Sequence, residues 1–210
     1  MSKVKTFVEK KIEDCTPNYN QPKYQYINGY YDAGRILVEE ALKLEKEGKS
    51  HNYFYPICYS YRHYIELHLK TIIEDLELLY EKSEKLGYLK NGILLDENKV
   101  SGKLHKIHKL NDLLSYAEER IIYTQVNGEE FPKDTAKFIR QIHEKDKTGQ
   151  SFRYSKSTSG KSSFDSTPYY ELEELKKVME KINNMLWAID SHTDYYIDMA
   201  ESIISFYESW

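Results

Sequence analysis

One short segment of the chain concentrates side chains that can do chemistry on a phosphate group. Residues 61–70 read YRHYIELHLK and contain an arginine, two histidines and a glutamate. A histidine imidazole can act as an acid or a base near neutral pH, and an arginine guanidinium can hold a phosphate through two parallel hydrogen bonds. We therefore take Arg62 and His68 as the candidate catalytic residues.

These candidates lie on a segment with strong helical periodicity. Apolar residues recur there at intervals of three and four, which predicts a helix over 53–86. The repeating residues are Phe54, Cys58, Tyr61, Ile65, Leu69, Ile72, Leu76 and Leu79. At about 100° per residue, we expect Arg62 on one flank of this apolar stripe and His68 on the other, both half-exposed. His63 and Lys70 are expected to point to solvent.

Glu66 follows Arg62 by one helical turn and can hold its guanidinium through an ion pair. The same residues also fit a simpler interpretation, an amphipathic helix whose charged residues flank a buried face. On spacing alone, this simpler interpretation is favoured over a catalytic site.

Helical periodicity extends over most of the chain, in which glycine and proline are scarce. The predicted helices cover 29–47, 53–86, 107–123, 132–147 and 169–208. Residues 1–26 are predicted to form a short helix and an irregular lead-in, and the last helix has room for a break near 191–192. A small hairpin at 88–103 or a short strand at 151–154 would be the only β-structure. The prediction is an all-α bundle of about five long helices in a single domain, 1–210.

The composition excludes some classes of protein. The sequence contains no run of 18 apolar residues, so it predicts no membrane span. The residues after Met1 lack the apolar core of a secretory signal. We therefore expect a cytoplasmic protein in which Cys15 and Cys58 stay reduced and form no disulfide. The net charge of −4 argues against a chain that is basic all over, but allows a local basic groove for nucleic acid.

Two other motifs do not fit the phosphate-binding loop or the metal site that they suggest at first. SGKSS at 159–163 lacks the glycine that a phosphate-binding loop needs five residues before Gly160. His105 and His108 lie three residues apart, but no third metal ligand of suitable type is near them in the sequence. We therefore predict neither a metal nor a cofactor.

The helix that carries the candidate residues resembles a known family. Arg62-His63-x4-His68 is similar to the R-x4-6-H signature of the HEPN superfamily of helical domains. The longer stretch YRHYIELHLKTII resembles the R-H-x-I-E-x-x-L-K helix of bacterial and phage members of that superfamily.

Two downstream segments resemble the same group and follow in the same order. HKIHKLNDLL, which contains His108, is similar to its H-x-L-x-x-L segment. SFRYS, which contains Arg153 and Tyr154, is similar to its F-R-Y turn, although the proline that usually follows is Ser155 here. The resemblance covers about residues 28–190.

The resemblance implies a bundle of four or five helices, often in a two-fold homodimer. In active members of the family, the arginine and histidine of both protomers face each other and cleave RNA without a metal, with the ribose 2′-OH as nucleophile. Carried over to this chain, Arg62 would stabilise the scissile phosphate and His68 would act as acid or base. Many relatives are toxins or act against phage, and others have lost activity and bind nucleotides, RNA or proteins.

Two functions follow as expectations. The first is a metal-independent endoribonuclease in a toxin, abortive-infection or phage-conflict setting. The second is a non-catalytic binding or scaffold protein for RNA, a nucleotide or a protein. The residues expected to support or bind are Glu66, His63, His108, Arg153 and Tyr154. Arg62 and His68 opening onto a shared dimer cleft would favour the enzyme, whereas both residues satisfied inside one protomer would favour the second function.

A homodimer is also expected from the apolar residues themselves. The stripe over 54–79 is longer than one short partner helix can cover. The last predicted helix offers further apolar surface, at Leu186, Ile189, Ile203 and Phe206.

Overall fold

The chain folds into a bundle of α-helices, as a computed structural model shows for residues 22–45, 49–88, 99–124, 130–154 and 171–210. The α-helices of these residues are α1 (Pro22–Leu44), α2 (Phe54–Lys85), α3 (Leu110–Thr124), α4 (Lys133–Lys145) and α5 (Leu172–Glu208). Short 3-10 helices at Ser50–Tyr53 and Ser101–Lys106 precede α2 and α3, and the described residues contain no strand. The all-α prediction is confirmed.

Helix α2 is the central element of the bundle. It packs against α1, α3 and α5. Its fully buried apolar residues extend over about half of its circumference, a wider arc than the stripe of a helix that packs on one side only. They are Ile57, Tyr64, Ile65, Leu69, Ile72, Ile73 and Leu76.

Side-chain contacts give the directions of the three long helices. Tyr64 of α2 donates to Asn183 of α5 at 2.9 Å, and Lys82 pairs with Glu201 at 2.8 Å, so α2 and α5 are parallel. Helix α1 runs the other way along α5. The Tyr24 ring near its start lies 5.4 Å from the Trp187 ring, whereas Glu39 near its end pairs with Lys176, at 3.2 Å.

Two predicted helix starts need correction. Helix α1 begins at Pro22, so the last part of the predicted irregular lead-in, 22–26, is helical. Proline fits the first turn of a helix because the backbone N–H it lacks has no partner there. Helix α3 begins at Leu110 rather than 107, because Ser101–Lys106 form a separate 3-10 helix.

The predicted break in the last helix is wrong. Helix α5 is continuous through 191–192, because residues on both sides of that point are buried against the bundle. Thr193, directly after it, is 1% exposed, and its hydroxyl donates to the carbonyl of Ile189 at 2.8 Å.

The predicted β-structure is also absent from the described residues. Residues 151–153 form a turn instead of a strand, in which the backbone N–H groups of Arg153 and Tyr154 both donate to the carbonyl of Gln150. Of the segment 88–103, predicted as a loop or hairpin, 89–98 lie outside the described residues, and 101–103 belong to the 3-10 helix Ser101–Lys106.

Most of the apolar residues that favoured a homodimer pack against other helices of the same chain. The stripe on α2 is covered by α1, α3 and α5, and Leu186 is fully buried. Ile189 and Ile203 are half-buried, and Phe206 is exposed. The homodimer stays a prediction that rests on the family resemblance.

No helix of the described residues has the length and apolar character needed to cross a membrane. Burial raises the pKa of the Cys58 thiol to about 12, so it stays protonated at neutral pH. Cys15 lies outside the described residues, and the absence of a disulfide stays a prediction.

The close approach of α1 to α2 at Gly34 generates a test of the packing. A Cβ atom there would lie 2.5 Å from Cε1 of Tyr61, whereas a Cβ at Gly29, on the same helix, would meet no atom within 4 Å. We expect Gly34→Ala to lower the free energy of unfolding by about 1–3 kcal/mol through overpacking. Gly29→Ala should raise it by about 0.5–1 kcal/mol, because alanine favours the helix. Urea denaturation measures both, and equal effects would contradict this packing.

Candidate functional site

The guanidinium of Arg62 is enclosed inside the protein, where its side chain is 2% exposed. Its Nη1 donates to Oε2 of Glu66 at 2.9 Å, and its Nη2 donates to the carbonyl of His108 at 2.6 Å. Asp146 places Oδ2 3.2 Å from Nε, as an ion pair without hydrogen-bond geometry. Two carboxylates and a carbonyl therefore compensate one buried charge.

Glu66 holds this cluster together through both of its oxygens. Oε1 accepts hydrogen bonds from Nζ of Lys70 at 2.8 Å and Nδ1 of His108 at 2.9 Å, and Oε2 accepts from Arg62. Burial raises the pKa of this carboxyl, but the hydrogen bonds from Lys70, His108 and Arg62 outweigh it and lower the pKa to about 2. The Glu66 carboxylate is therefore a fixed negative charge at neutral pH.

Contact with Glu66 also corrects the expected position of Lys70. That side chain is 15% exposed and does not point freely to solvent. Its ammonium group reaches back one helical turn to the carboxylate, in the i, i+4 arrangement that places the two side chains on the same helix face.

A turn after α4 presses its backbone against the Arg62 guanidinium. Asp146 Oδ1 accepts hydrogen bonds from the backbone N–H groups of Gln150 at 2.9 Å and Ser151 at 3.0 Å, which fixes the turn. Gly149 has a φ of 77°, and a Cβ there would lie 2.7 Å from Nη2 of Arg62. The sequence did not identify Asp146 or Gly149 as site residues.

His63 lies beside this cluster, between two tyrosines. Its ring is parallel to that of Tyr59 at 5.6 Å between centroids and meets the edge of Tyr30 at 4.4 Å. The prediction that His63 points to solvent is wrong, because α1 covers that side of α2 and leaves the histidine half-buried. Burial lowers its pKa, and the nearby charge of Lys70 adds to that effect, so the ring is neutral at neutral pH.

Arg153 and Tyr154 complete this face of the molecule. The Arg153 guanidinium carbon lies 5.8 Å from the centroid of the Tyr59 ring and 5.5 Å from that of Tyr154, and its Nε donates to the carbonyl of Gly149 at 3.1 Å. Arg153 is exposed, and Tyr154 is 56% exposed. We call the six side chains over the buried Arg62–Glu66 pair the basic-aromatic surface: Tyr59, His63, Lys70, His108, Arg153 and Tyr154.

His68 lies in a different cluster, against α5, and is completely buried. The Tyr64 hydroxyl gives its one proton to Asn183, so it must accept from Nδ1 of His68, 3.1 Å away. The histidine therefore carries its proton on Nδ1 and presents a bare Nε2. Its ring contacts Trp187 at 4.9 Å between centroids.

Asp190 faces the bare nitrogen of His68 without bonding to it. Its Oδ2 lies 4.0 Å from Nε2, and neither Nε2 nor Oδ1 has a hydrogen-bond partner within the described part of the chain. Burial lowers the pKa of His68 to about 3, and Lys23 adds to this effect. Burial also raises the pKa of Asp190 to about 7, with a contribution from Asp194. The enclosure thus favours the uncharged form of both groups.

The structure brings Arg62, Glu66 and the segment around His108 together, with His63, Arg153 and Tyr154 beside them. His68 is not among them. The expectation that Arg62 and His68 are half-exposed on the flanks of α2 is wrong, since both are buried. Their catalytic roles stay predictions.

No set of three or more histidine, cysteine, aspartate or glutamate side chains in the described ranges is placed to share a metal ion.

Comparison of the chain with protein-family models, curated proteins and solved structures finds no match. The HEPN resemblance therefore stays a prediction carried by the three motifs.

The contact between Gly149 and the Arg62 guanidinium can be tested against a glycine of similar conformation. Gly87 has a φ of 69°, but a Cβ there would meet no atom within 4 Å. Both alanine variants bear the strain of a left-handed backbone, about 1–2 kcal/mol. We expect Gly149→Ala to lose about 1–3 kcal/mol more in the free energy of unfolding, because the guanidinium must also move. Equal losses by urea denaturation would show that this contact does not constrain Arg62.

Burial of Asp190 predicts a pH dependence of stability. Its pKa is about 7 in the folded state and about 3.9 in an unfolded chain, so the folded state retains the proton more strongly between these values. Stabilisation by this group is therefore complete below about pH 3.9 and is lost as the pH rises through 7. The free energy of unfolding of the wild type, minus that of Asp190→Asn, should increase as the pH falls from 8 to 5. A difference independent of pH would refute the buried, protonated carboxyl.

Proposed function

We propose that this protein is a non-catalytic binding module for single-stranded RNA or a free nucleotide, which it takes up on the basic-aromatic surface. The observation that carries the proposal is the enclosure of Arg62. Its guanidinium binds Glu66, Asp146 and the carbonyl of His108 beneath the surface. It is therefore not available to bind a phosphate.

The exposed groups of this surface suit a nucleotide. Arg153 presents a planar cation and Tyr154 an aromatic ring, and His63 adds a neutral ring behind them. Proteins that bind single strands combine cations for the phosphates with aromatic rings on which the bases stack. The described side chains at this place supply both chemistries.

Positive charge continues beside the surface along the segment that leads into α3. Exposed lysines there are Lys103, Lys106 and Lys109. They flank His108, whose side chain is 57% exposed. The chain as a whole has a net charge of −4, so a local basic strip of this kind is what would attract a phosphate backbone.

The endoribonuclease is the second candidate, and its support is the family resemblance. Cleavage would need Arg62 and His68 at one opening, but each is buried within the chain in a different cluster. With a pKa of about 3, His68 is also a weak base at neutral pH. These contacts favour the binding function. A role as a toxin or in phage conflict belongs to this second candidate. So does a homodimer, in which two protomers would share the active site.

Binding is tested with fluorescein-labelled oligo(U) and with a labelled nucleotide, by fluorescence anisotropy. We expect Tyr154→Ala to weaken oligo(U) binding about tenfold or more, on the scale of one lost stacking contact. Arg153→Ala should weaken binding and reduce its salt dependence, because one phosphate contact is lost. Arg140, an exposed arginine paired with Glu118, provides the control, and Arg140→Ala should leave affinity unchanged. Equal affinities of all three variants for both probes would reject the proposal.

The same preparation separates binding from cleavage. Incubation of the protein with total RNA and EDTA should give no products with 2′,3′-cyclic phosphate ends. Cleavage that persists in EDTA and is lost in a folded His68→Gln variant would instead establish the endoribonuclease.

A further inference from the structure

A cavity of about 520 Å³ lies where α4 and the first turns of α5 pack against α2. Its volume is in the range of about 300–1,000 Å³ that is usual for small-molecule sites. None of the six side chains of the basic-aromatic surface lines it, so it is separate from the place proposed above for RNA or a nucleotide. We call it the α4–α5 cavity.

The wall of the α4–α5 cavity combines apolar side chains from three helices and a turn. They are Tyr61, Phe138, Ile142, Phe152, Leu175 and Val178. Tyr61 is 2% exposed, and Phe152, in the turn after α4, is held by a nearly perpendicular contact with the ring of Phe54, at 6.4 Å between centroids. Aromatic rings fixed at different places can contact both the face and the edge of a planar ligand. The wall therefore favours an aromatic ligand.

The charged side chains that line the cavity are exposed, so they lie at its mouth. They are Glu144, Lys145, Glu171 and Glu174. Lys147 pairs with Glu144 at 3.1 Å and Lys177 with Glu174 at 2.7 Å, which compensates two of the carboxylates. A charged ligand would lose its hydration against the apolar wall, where none of these lining ions is buried to replace it. The lining therefore favours a neutral ligand.

The apolar side chains that α4 and α5 contribute are recessed. Phe138, Ile142, Leu175 and Val178 are half-buried and pack against the core, whereas the charged residues around them are exposed. A second copy or another protein typically covers about 800 Å² on each partner and packs closely at the centre of the contact. Here the centre is a hollow, which a small molecule can fill and a flat protein surface cannot.

We propose that the α4–α5 cavity is a binding site for a neutral aromatic small molecule, which packs against the rings of Tyr61, Phe138 and Phe152 and against the aliphatic side chains of α5. Burial of the apolar surface of the ligand supplies most of the binding free energy. This ligand site does not rest on the function proposed above, because the two places share no side chain.

Two related dyes test the site and its preference for a neutral ligand. N-phenyl-1-naphthylamine is neutral, and 8-anilino-1-naphthalenesulfonate has the same rings with a sulfonate group added. Both fluoresce strongly only in apolar surroundings. We expect saturable binding of the neutral dye, and binding of the sulfonate about tenfold or more weakly, because its charge must lose water. Equal affinities, or a signal that does not saturate, would reject the neutral site.

A side chain that fills the cavity should exclude the dye. Val178→Trp and Gln141→Trp place an indole there from α5 and from α4. In a variant that keeps the wild-type helical circular dichroism, we expect the neutral dye to bind about tenfold or more weakly, because the cavity is overpacked. Ile122→Trp adds the same ring at an exposed position of α3 and should leave the affinity unchanged. Unchanged affinity in a folded filling variant would overturn the proposal, and so would a wild-type dimer that these variants dissociate.

The thiol of Cys58 also lines the cavity and reports on it without a change to the wall. In a Cys15→Ser protein, Cys58 is the one cysteine that remains. Because burial raises the pKa of this thiol, its alkylation by N-ethylmaleimide is followed at mildly alkaline pH. We expect the alkylation rate to fall as the neutral dye saturates the protein, with the same midpoint as the fluorescence. A rate independent of the dye would place the dye elsewhere and overturn the proposal, whether or not the tryptophan variants fold.

Discussion

The compensation of one buried positive charge, that of Arg62, determines how three separate parts of the chain are arranged. An arginine with a 2% exposed side chain must find carboxylates and carbonyls inside the protein. Here they come from Glu66 on the same helix, from the segment before α3 and from the turn after α4. Removing one partner from such a buried pair typically costs about 3–5 kcal/mol, so the three parts are held in a single arrangement.

Two further polar clusters follow the same rule along α2. Glu77, 1% exposed, accepts from Nε of Arg120 at 2.7 Å and from the backbone N–H groups of Val100 and Ser101, both at 3.0 Å, which fixes the start of the 3-10 helix against α2. Tyr64 ties α2 to α5 through Asn183, and it orients His68 as well. Helices α3 and α5 are therefore positioned against the central helix by polar contacts in addition to apolar packing.

Helical periodicity was enough to predict the five α-helices of the described residues, because apolar side chains recur in each of them every three or four residues. Periodicity gives an angle around a helix axis but does not say how many neighbours surround that helix. Arg62 and His68 were therefore expected at the edges of a one-sided stripe, whereas three helices enclose α2 and bury both. Asp146 and Gly149 could not be found from local pattern, since their contacts with Arg62 join residues more than 80 positions apart.

The spacing of the candidate residues explains which of them can act together. Six residues separate Arg62 from His68, which puts them about 120° apart around the helix and about 9 Å apart along it. Once α2 is enclosed, Arg62 and His68 must face different neighbouring elements. The two side chains of one chain therefore cannot contact the same substrate atom. Arg62, His63, Glu66 and Lys70 instead share one face, because they lie within about 100° of one another around the helix. That face offers fixed charges and a neutral ring, which suits holding a phosphate and a base more than moving a proton.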